Sequence, residues 1–170
     1  FLLAQSALCG ARLIVCDLHA GDKESLATRI AALSPAFMCD VASTPDTILA
    51  ALKLADDKLQ RRIAGQGARW QIIVAVDEWT SLLRTAAGPT LTPHIQNIAE
   101  QGRKFNVNGL LAAQAWTKAA SSPVRNQLTS HYVMRQRPDE ARYQLGMRAA
   151  HMPDDVRSLP DATSYLLNVK

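Results

Sequence analysis

Residues 70–78 read Trp70-Gln71-Ile72-Ile73-Val74-Ala75-Val76-Asp77-Glu78, in which the apolar run Ile72–Val76 is closed by two adjacent carboxylates. The run is rich in β-branched residues and lacks polar alternation. Such a segment suits a central strand of a parallel sheet covered by helices on both faces. Burying charge is costly unless it is paired or binds a cation. Open α/β sheets collect their ligands outside the carboxyl ends of the strands, so this acid pair marks a candidate metal-assisted site.

The pattern is that of a Walker B motif. In such a site the first acid, Asp77, holds Mg²⁺ directly or through its water, while the second, Glu78, polarises the attacking water. The plainer alternative is a solvated Asp-Glu pair that caps the following helix. The four or five residues of the motif alone do not choose between the two.

With 170 residues, of which 48% are hydrophobic, the chain can bury one substantial core, and a single domain is expected over 1–170. Charges interrupt every apolar run well before the ~18 residues that span a bilayer, so no membrane contact is expected of this segment. Phe1-Leu2-Leu3-Ala4 lacks the basic flank of a signal peptide. Three cysteines, Cys9, Cys16 and Cys39, form no C-x-x-C pair and are expected to be reduced core residues in the cytoplasm. A net charge of +4 is compatible with polyanion binding without demanding it. Lys58, Arg61 and Arg62, then Arg103 and Lys104, then Arg135, Arg137 and Arg142 form basic clusters that read first as solvated faces. Aromatic residues make up only 5% of the chain, so any DNA contact should be mainly to phosphates.

Periodicity places a helix end over Phe1 to Leu8, a buried strand over Arg12–Asp17, and a helix from Asp22 to Leu33 stopped by Ser34-Pro35. Phe37-Met38-Cys39 is a candidate short strand. Thr44-Pro45 opens a longer helix whose apolar positions are Ile48, Leu49, Leu52, Leu54, Leu59 and Ile63, and Gly65-Gln66-Gly67 ends it. After Glu78 a helix reaches about Thr85, Ala86 to Thr90 break the chain, and another helix runs from Thr92-Pro93 to Arg103. Gly109–Gln114 and Tyr132–Met134 read as strands, Pro138 to Leu145 as a helix, and Ser164 to Val169 as a last strand. Alternating strands and helices predict an open α/β sheet.

Asp17, Asp77-Glu78 and Gln114 each end an apolar run, as the ligand groups of such a sheet do. A strand-tip glutamine can orient water or sense a γ-phosphate, although for a glutamine taken alone a capping or loop-anchoring role is the more common one. In order and spacing these segments resemble the FtsK/SpoIIIE and HerA superfamily of RecA-like P-loop motor ATPases. Ile72 to Glu78 is similar to the Walker B strand, Ile98 to Lys104 to the basic helix end, and Gly109 to Gln114 to the sensor strand, with Ala113 where threonine is common. Ser122 to Leu128 and His131 to Arg135 resemble the segment leading to the next core strand. Val15-Cys16-Asp17-Leu18-His19 resembles the Asp-Pro-His turn, with Leu18 in place of proline.

The resemblance implies a RecA-like (ASCE) P-loop NTPase core, a mostly parallel sheet flanked by helices, with ATP and Mg²⁺ as ligands. Asp77 would hold the metal, and Glu78 and Gln114 would act on the attacking water. Asp17, His19 and Arg103 would lie toward nucleotide, and Arg125 or Arg103 would supply an arginine finger to a neighbouring subunit. The sequence contains no G-x-x-x-x-G-K-[ST] phosphate loop. In this family that loop belongs just before Phe1, so the chain is expected to be a truncated motor domain lacking the Walker A strand and loop. The lost strand would lie inside the sheet, and a membrane anchor of the parent would lie in the absent N-terminal region. The remaining bets are plain ones: Lys23 and Glu24 as first-turn helix residues, and Asp154-Asp155 as a helix cap after Pro153.

The expected function is an ATP-driven motor that translocates DNA, without sequence preference, as a ring that is expected to be hexameric. Division or sporulation translocases, conjugation or secretion coupling ATPases and HerA-type end-processing helicases fall within it. Two other classes remain open: a catalytically inactive interaction or DNA-binding module, and an unrelated nucleotide-binding α/β enzyme such as a kinase.

Overall fold

A computed structural model describes residues 1–113, 124, 127, 130–133 and 165–168. The chain divides into two compact units, Phe1–Ala113 and Gln114–Lys170. In the first unit α1 (Leu2–Leu8) leads through Gly10 to β1 (Arg12–Cys16), then α2 (Leu26–Arg29), a 3₁₀ segment (Ala31–Ala36) and the long α3 (Pro45–Ile63). The chain continues with β2 (Ile72–Val76), α4 (Trp79–Leu83), α5 (Gly88–Gln101), a 3₁₀ turn (Gly102–Phe105) and β3 (Val107–Leu111).

The three strands form a parallel sheet in the order β1-β2-β3, in register from Arg12↔Ile72↔Val107 to Cys16↔Val76↔Leu111. Every residue of β2 is buried, as its unbroken apolar run requires. Alternation along the strands divides the core in two. Leu13, Val15, Ile73 and Ala75 face a cluster with Leu3 and Ala11 and, at its edge, Leu26, Ile30, Leu33 and Phe37. Ile14, Ile72 and Val74 therefore face the other side, where α3 and α5 pack with buried Ile48, Leu52, Leu59, Leu91, Ile95 and Ile98.

Several boundaries differ from those the sequence suggests. The expected helix from Asp22 is one turn beginning at Leu26, because Ser25 takes the N-cap and accepts a hydrogen bond from the Thr28 N–H. Pro35 lies within the 3₁₀ segment instead of ending a helix. Phe37-Met38-Cys39 makes no strand; Phe37 and Ala42 form only isolated parallel bridges to Leu13 and Cys16 along the outer edge of β1. Gly88-Pro89 begins α5 instead of breaking the chain, with proline in the first turn where its missing N–H is harmless. Pro93 is accommodated inside the helix, and Thr92 Oγ1 donates to the Gly88 carbonyl (2.9 Å).

α3 opens as expected, with Pro45 in its first turn and a reciprocal box between Thr44 and Thr47. Its buried stripe is Ile48, Ala51, Leu52, Ala55, Leu59 and Arg62, so Leu49 and Leu54 lie at the flanks and Ile63 is exposed. A polar tie joins α3 to α5: Asp56 Oδ2 lies 2.9 Å from His94 Nδ1, and Asp56 Oδ1 accepts from Asn97 Nδ2. The turn from α5 into β3 is tight enough that a Cβ on Gly102 would stand 1.9 Å from the Val107 carbonyl oxygen.

In the second unit β4 (Ser130–Val133) and β5 (Tyr165–Asn168) pair antiparallel, Ser130↔Asn168 to Val133↔Tyr165. β5 falls within the strand expected over Ser164 to Val169, whereas β4 begins at Ser130, two residues before the expected Tyr132. The expected helix over Pro138 to Leu145 and the Asp154-Asp155 pair lie outside the described residues. Among the described residues no helix is long and apolar enough to cross a membrane.

Candidate active site

The carboxyl ends of β1, β2 and β3 meet along one edge of the sheet. Ladder hydrogen bonds continue past the strands there: Asp77 N–H donates to the Cys16 carbonyl, Ala112 N–H to Val76 and Trp79 N–H to Ala112, each at 2.9 Å. Asp77 is therefore held between the tips of β1 and β3, and Trp79 just beyond it is fully buried. Gln114, two residues past Ala112, lies outside the described residues, as does Arg125.

Asp77 is half-buried, and its Oδ1 accepts the Glu78 N–H at 3.1 Å. Burial is the main cause that pushes its carboxyl above the ordinary value of 3.8, and the nearby negative charge of Asp17 adds to it. The Glu78 N–H and His19 act in the opposite sense. Its Oδ2 has no hydrogen bond among the described residues. A half-buried carboxylate with a raised pKa and one open oxygen is under-compensated, which is the electrostatic condition that a hard cation relieves.

Glu78 has φ 52° and ψ 42°, a left-handed conformation that glutamate adopts only at a cost. The surroundings enforce it. Its N–H is committed to Asp77 and its carbonyl accepts from Ser81 and Leu82 as the N-cap of α4. The side chain is half-buried and has no hydrogen-bond partner among the described residues. An acid held in a strained turn at a strand tip, with its oxygens uncommitted, is arranged as a base or water-positioning group would be.

Asp17 is fully buried, and both of its oxygens accept backbone N–H groups, from His19 at 2.8 Å and from Ala27 at 2.8 Å. In this structure it ties the loop after β1 to α2. The His19 imidazole is 56% exposed and approaches Asp22 at 3.8 Å. Lys23 and Glu24 lie in the turn before α2, and Glu24 pairs with Arg29 instead of starting a helix.

Arg103 is exposed in the 3₁₀ turn before β3, at the opposite end of the parallel strands from Asp77. Five residues of strand separate the two ends by roughly 13 Å or more. Asp77, Glu78, Asp17 and the His19 backbone are thus brought together, and Arg103 is not. The cysteines divide three ways: Cys9 is exposed, Cys39 intermediate and Cys16 buried, where burial pushes its thiol up to about 12.

Arg62 carries a role that its place in a basic cluster does not suggest. It is 4% exposed, and its guanidinium donates to the carbonyls of Phe105 (2.7 Å), Asn106 (3.0 Å) and Trp70 (2.8 Å). It clamps the entrances of β2 and β3, and so fixes the strand whose other end carries Asp77. The signal was present in its spacing, three residues after Leu59 on the buried stripe.

No protein-family model matches the chain, and no curated protein matches it by sequence. Solved structures do. The conjugation coupling protein TcpA of pCW3, in a monomer form with ATPγS, superposes over 98% of this chain with a TM-score of 0.71 at 16% identity. The fold is that of a RecA-like P-loop ATPase. The cytoplasmic domain of the type VII secretion ATPase EccC from Thermomonospora curvata aligns over 94% of the chain (TM-score 0.62, 19% identity). ATPases 2 and 3 of EccC, in complex with a signal sequence peptide, align over 76% (TM-score 0.54, 14% identity). The chain spans 54% of the TcpA chain, and 20% and 25% of the two EccC chains, so it corresponds to a part of each.

Proposed function

We propose that the chain is the Walker B and sensor part of an ATP-driven motor of the FtsK/SpoIIIE and HerA type, acting on DNA or on a protein-bound DNA substrate. The observation that carries this reading is Glu78 in a left-handed cap beside Asp77, at the tip of the fully buried central strand of a RecA-like sheet. Mg²⁺, when bound with ATP, would neutralise developing phosphoryl charge. Asp77 suits its coordination through the open Oδ2. Glu78 orients the attacking water and draws its proton, while the Glu78 N–H, donating to Asp77 Oδ1, holds the two acids in fixed relation. Asp17 positions the loop that carries His19 beside this edge. Gln114 is assigned to the sensor role and Arg125 to the finger, in keeping with the family resemblance. Arg103, at the far end of the sheet, would act only on a nucleotide held by a neighbouring subunit of a ring, hexameric by the same resemblance.

Within this reading a conjugation or secretion coupling role is favoured by TcpA and EccC as structural neighbours. The phosphate loop would be supplied by sequence outside the 170 residues, in keeping with the partial span of those neighbours. An inactive interaction module is the second reading, favoured by the absence of G-x-x-x-x-G-K-[ST] from this sequence. Glu78→Gln in the full-length protein separates the two. Turnover should fall by ~100-fold or more with ATP binding retained. An unchanged rate in that variant would remove Glu78 from the mechanism, and wild-type protein that neither binds nor hydrolyses ATP would establish the second reading.

A further inference from the structure

Charge is unevenly distributed along the strand axis of the first unit. Asp17, Asp22, Glu24, Asp77 and Glu78 lie at the carboxyl edge of the sheet or in the loops leaving it. The opposite edge, where the strands begin, carries Arg12, Arg61, Arg62, Arg69, Arg103 and Lys104, with Asp57 and Glu100 as the acids on the helix ends that approach it. Arg62 is consumed by its three carbonyl contacts, and Arg12 donates to the Pro35 carbonyl. Arg61, Arg69, Arg103 and Lys104 are exposed, and among the described residues none of them forms an ion pair.

These cations are gathered on a rigid frame. One guanidinium, that of Arg62, touches the carbonyls of both Trp70 and Phe105, and Asn106 Nδ2 donates to the Arg69 carbonyl at 3.0 Å. The loop 69–70 and the turn 102–106 are therefore locked side by side, and Arg61 immediately precedes the clamping residue on α3. Trp70 stands among them 50% exposed. An indole half in water beside unpaired cations combines the two elements of single-strand recognition, a base-stacking face and a track for phosphates.

We propose that this basic edge, remote from the carboxylate tips, binds single-stranded nucleic acid, with phosphates on Arg61, Arg69 and Lys104 and a base stacked on Trp70. Arg103 adds to the positive potential there. The surface is remote from the carboxylate tips of its own chain, and its binding does not depend on hydrolysis.

The test uses the full chain and a fluorescein-labelled thymidine 20-mer, with anisotropy followed across a salt series. The logarithm of affinity should fall with the logarithm of salt with a slope of about −2 to −3, as expected for three or four phosphate contacts on a single strand. Arg61→Gln/Arg69→Gln/Lys104→Gln should flatten that slope by about 2. Trp70→Leu should weaken binding by ~5-fold or more and leave the slope in place, with tryptophan quenching on binding lost in the same variant. Glu78→Gln should bind the oligonucleotide as the wild type does, so failure of the ATPase reading would leave this result standing. An unchanged slope in the triple variant would overturn the proposal. So would polyglutamate displacing the oligonucleotide at equal charge with no effect of Trp70→Leu, which would make the edge a site for acidic protein. A change of oligomeric state in the triple variant with oligonucleotide binding intact would also overturn it, assigning the edge to contact with the acidic tips of a second copy.

Discussion

Arg62 places a guanidinium where an apolar side chain would ordinarily continue the stripe of α3. Three main-chain carbonyls justify it; without the guanidinium those of Phe105 and Trp70 would lose their donor, while that of Asn106 would keep the Ile72 N–H. Burial and the neighbouring Arg69 both lower its pKa, yet it stays charged, because arginine retains its proton far above neutral pH. Arg62→Met should cost ~3 kcal/mol in urea unfolding, since leaving a buried acceptor unpaired costs about 1–3 kcal/mol. A loss below ~0.5 kcal/mol would mean that water replaces the clamp. Asp77 makes the opposite prediction. Its carboxyl titrates above 3.8 in the fold, so the folded protein holds the proton more tightly than the unfolded chain does. Stability should fall as pH rises from 3.8 through the raised folded value, and Asp77→Asn should abolish that part of the pH dependence. Urea midpoints of both proteins from about pH 4 to about pH 8 test this, and parallel curves would place the titration elsewhere.

At the scale of elements, the long helix α3 is secured by devices of different range. Thr44 and Thr47 satisfy its first N–H groups locally, and Thr44→Ala should lower stability by ~1 kcal/mol. Asp56 ties it to α5 through His94 and Asn97, so Asp56→Ala should cost ~1–3 kcal/mol by orphaning both partners. Thermal unfolding of the two variants tells the cap from the tie. The cap was legible because Thr-Pro followed by an apolar periodicity is a local signal. The tie was not, because Asp56 and His94 are 38 residues apart and neither is unusual in its own segment. The misplaced start of α2 has the same origin. Ala27 N–H is drawn to Asp17, a contact across ten residues that overrides the helical pattern from Asp22.

At the scale of the first unit, parallel pairing sends the tips of β1, β2 and β3 to one edge of the sheet and their entrances to the other. Acids and a strained cap therefore share one edge, while cations that form no ion pair among the described residues and a half-exposed indole share the other. The 170 residues alone should show no ATP turnover, because under the proposed function Asp77 and Glu78 would serve only the metal and the water, and no phosphate-gripping loop is present in the sequence. A phosphate-release assay on the purified chain checks this, and a clear rate abolished by Glu78→Gln would show that the loop is dispensable.

The sequence by itself determined the α/β architecture, the buried central strand and the acid pair at its tip. These are signals of composition and period within a few residues, and β2 followed by Asp77-Glu78 is the clearest of them. Only the tertiary structure decided that Asp17 spends both oxygens on backbone N–H groups, that Arg62 is a clamp and Arg103 stands at the far edge. Each of these depends on which distant backbone groups need a partner, and hydrogen-bond satisfaction in a buried core is set by the assembled chain, not by any local pattern.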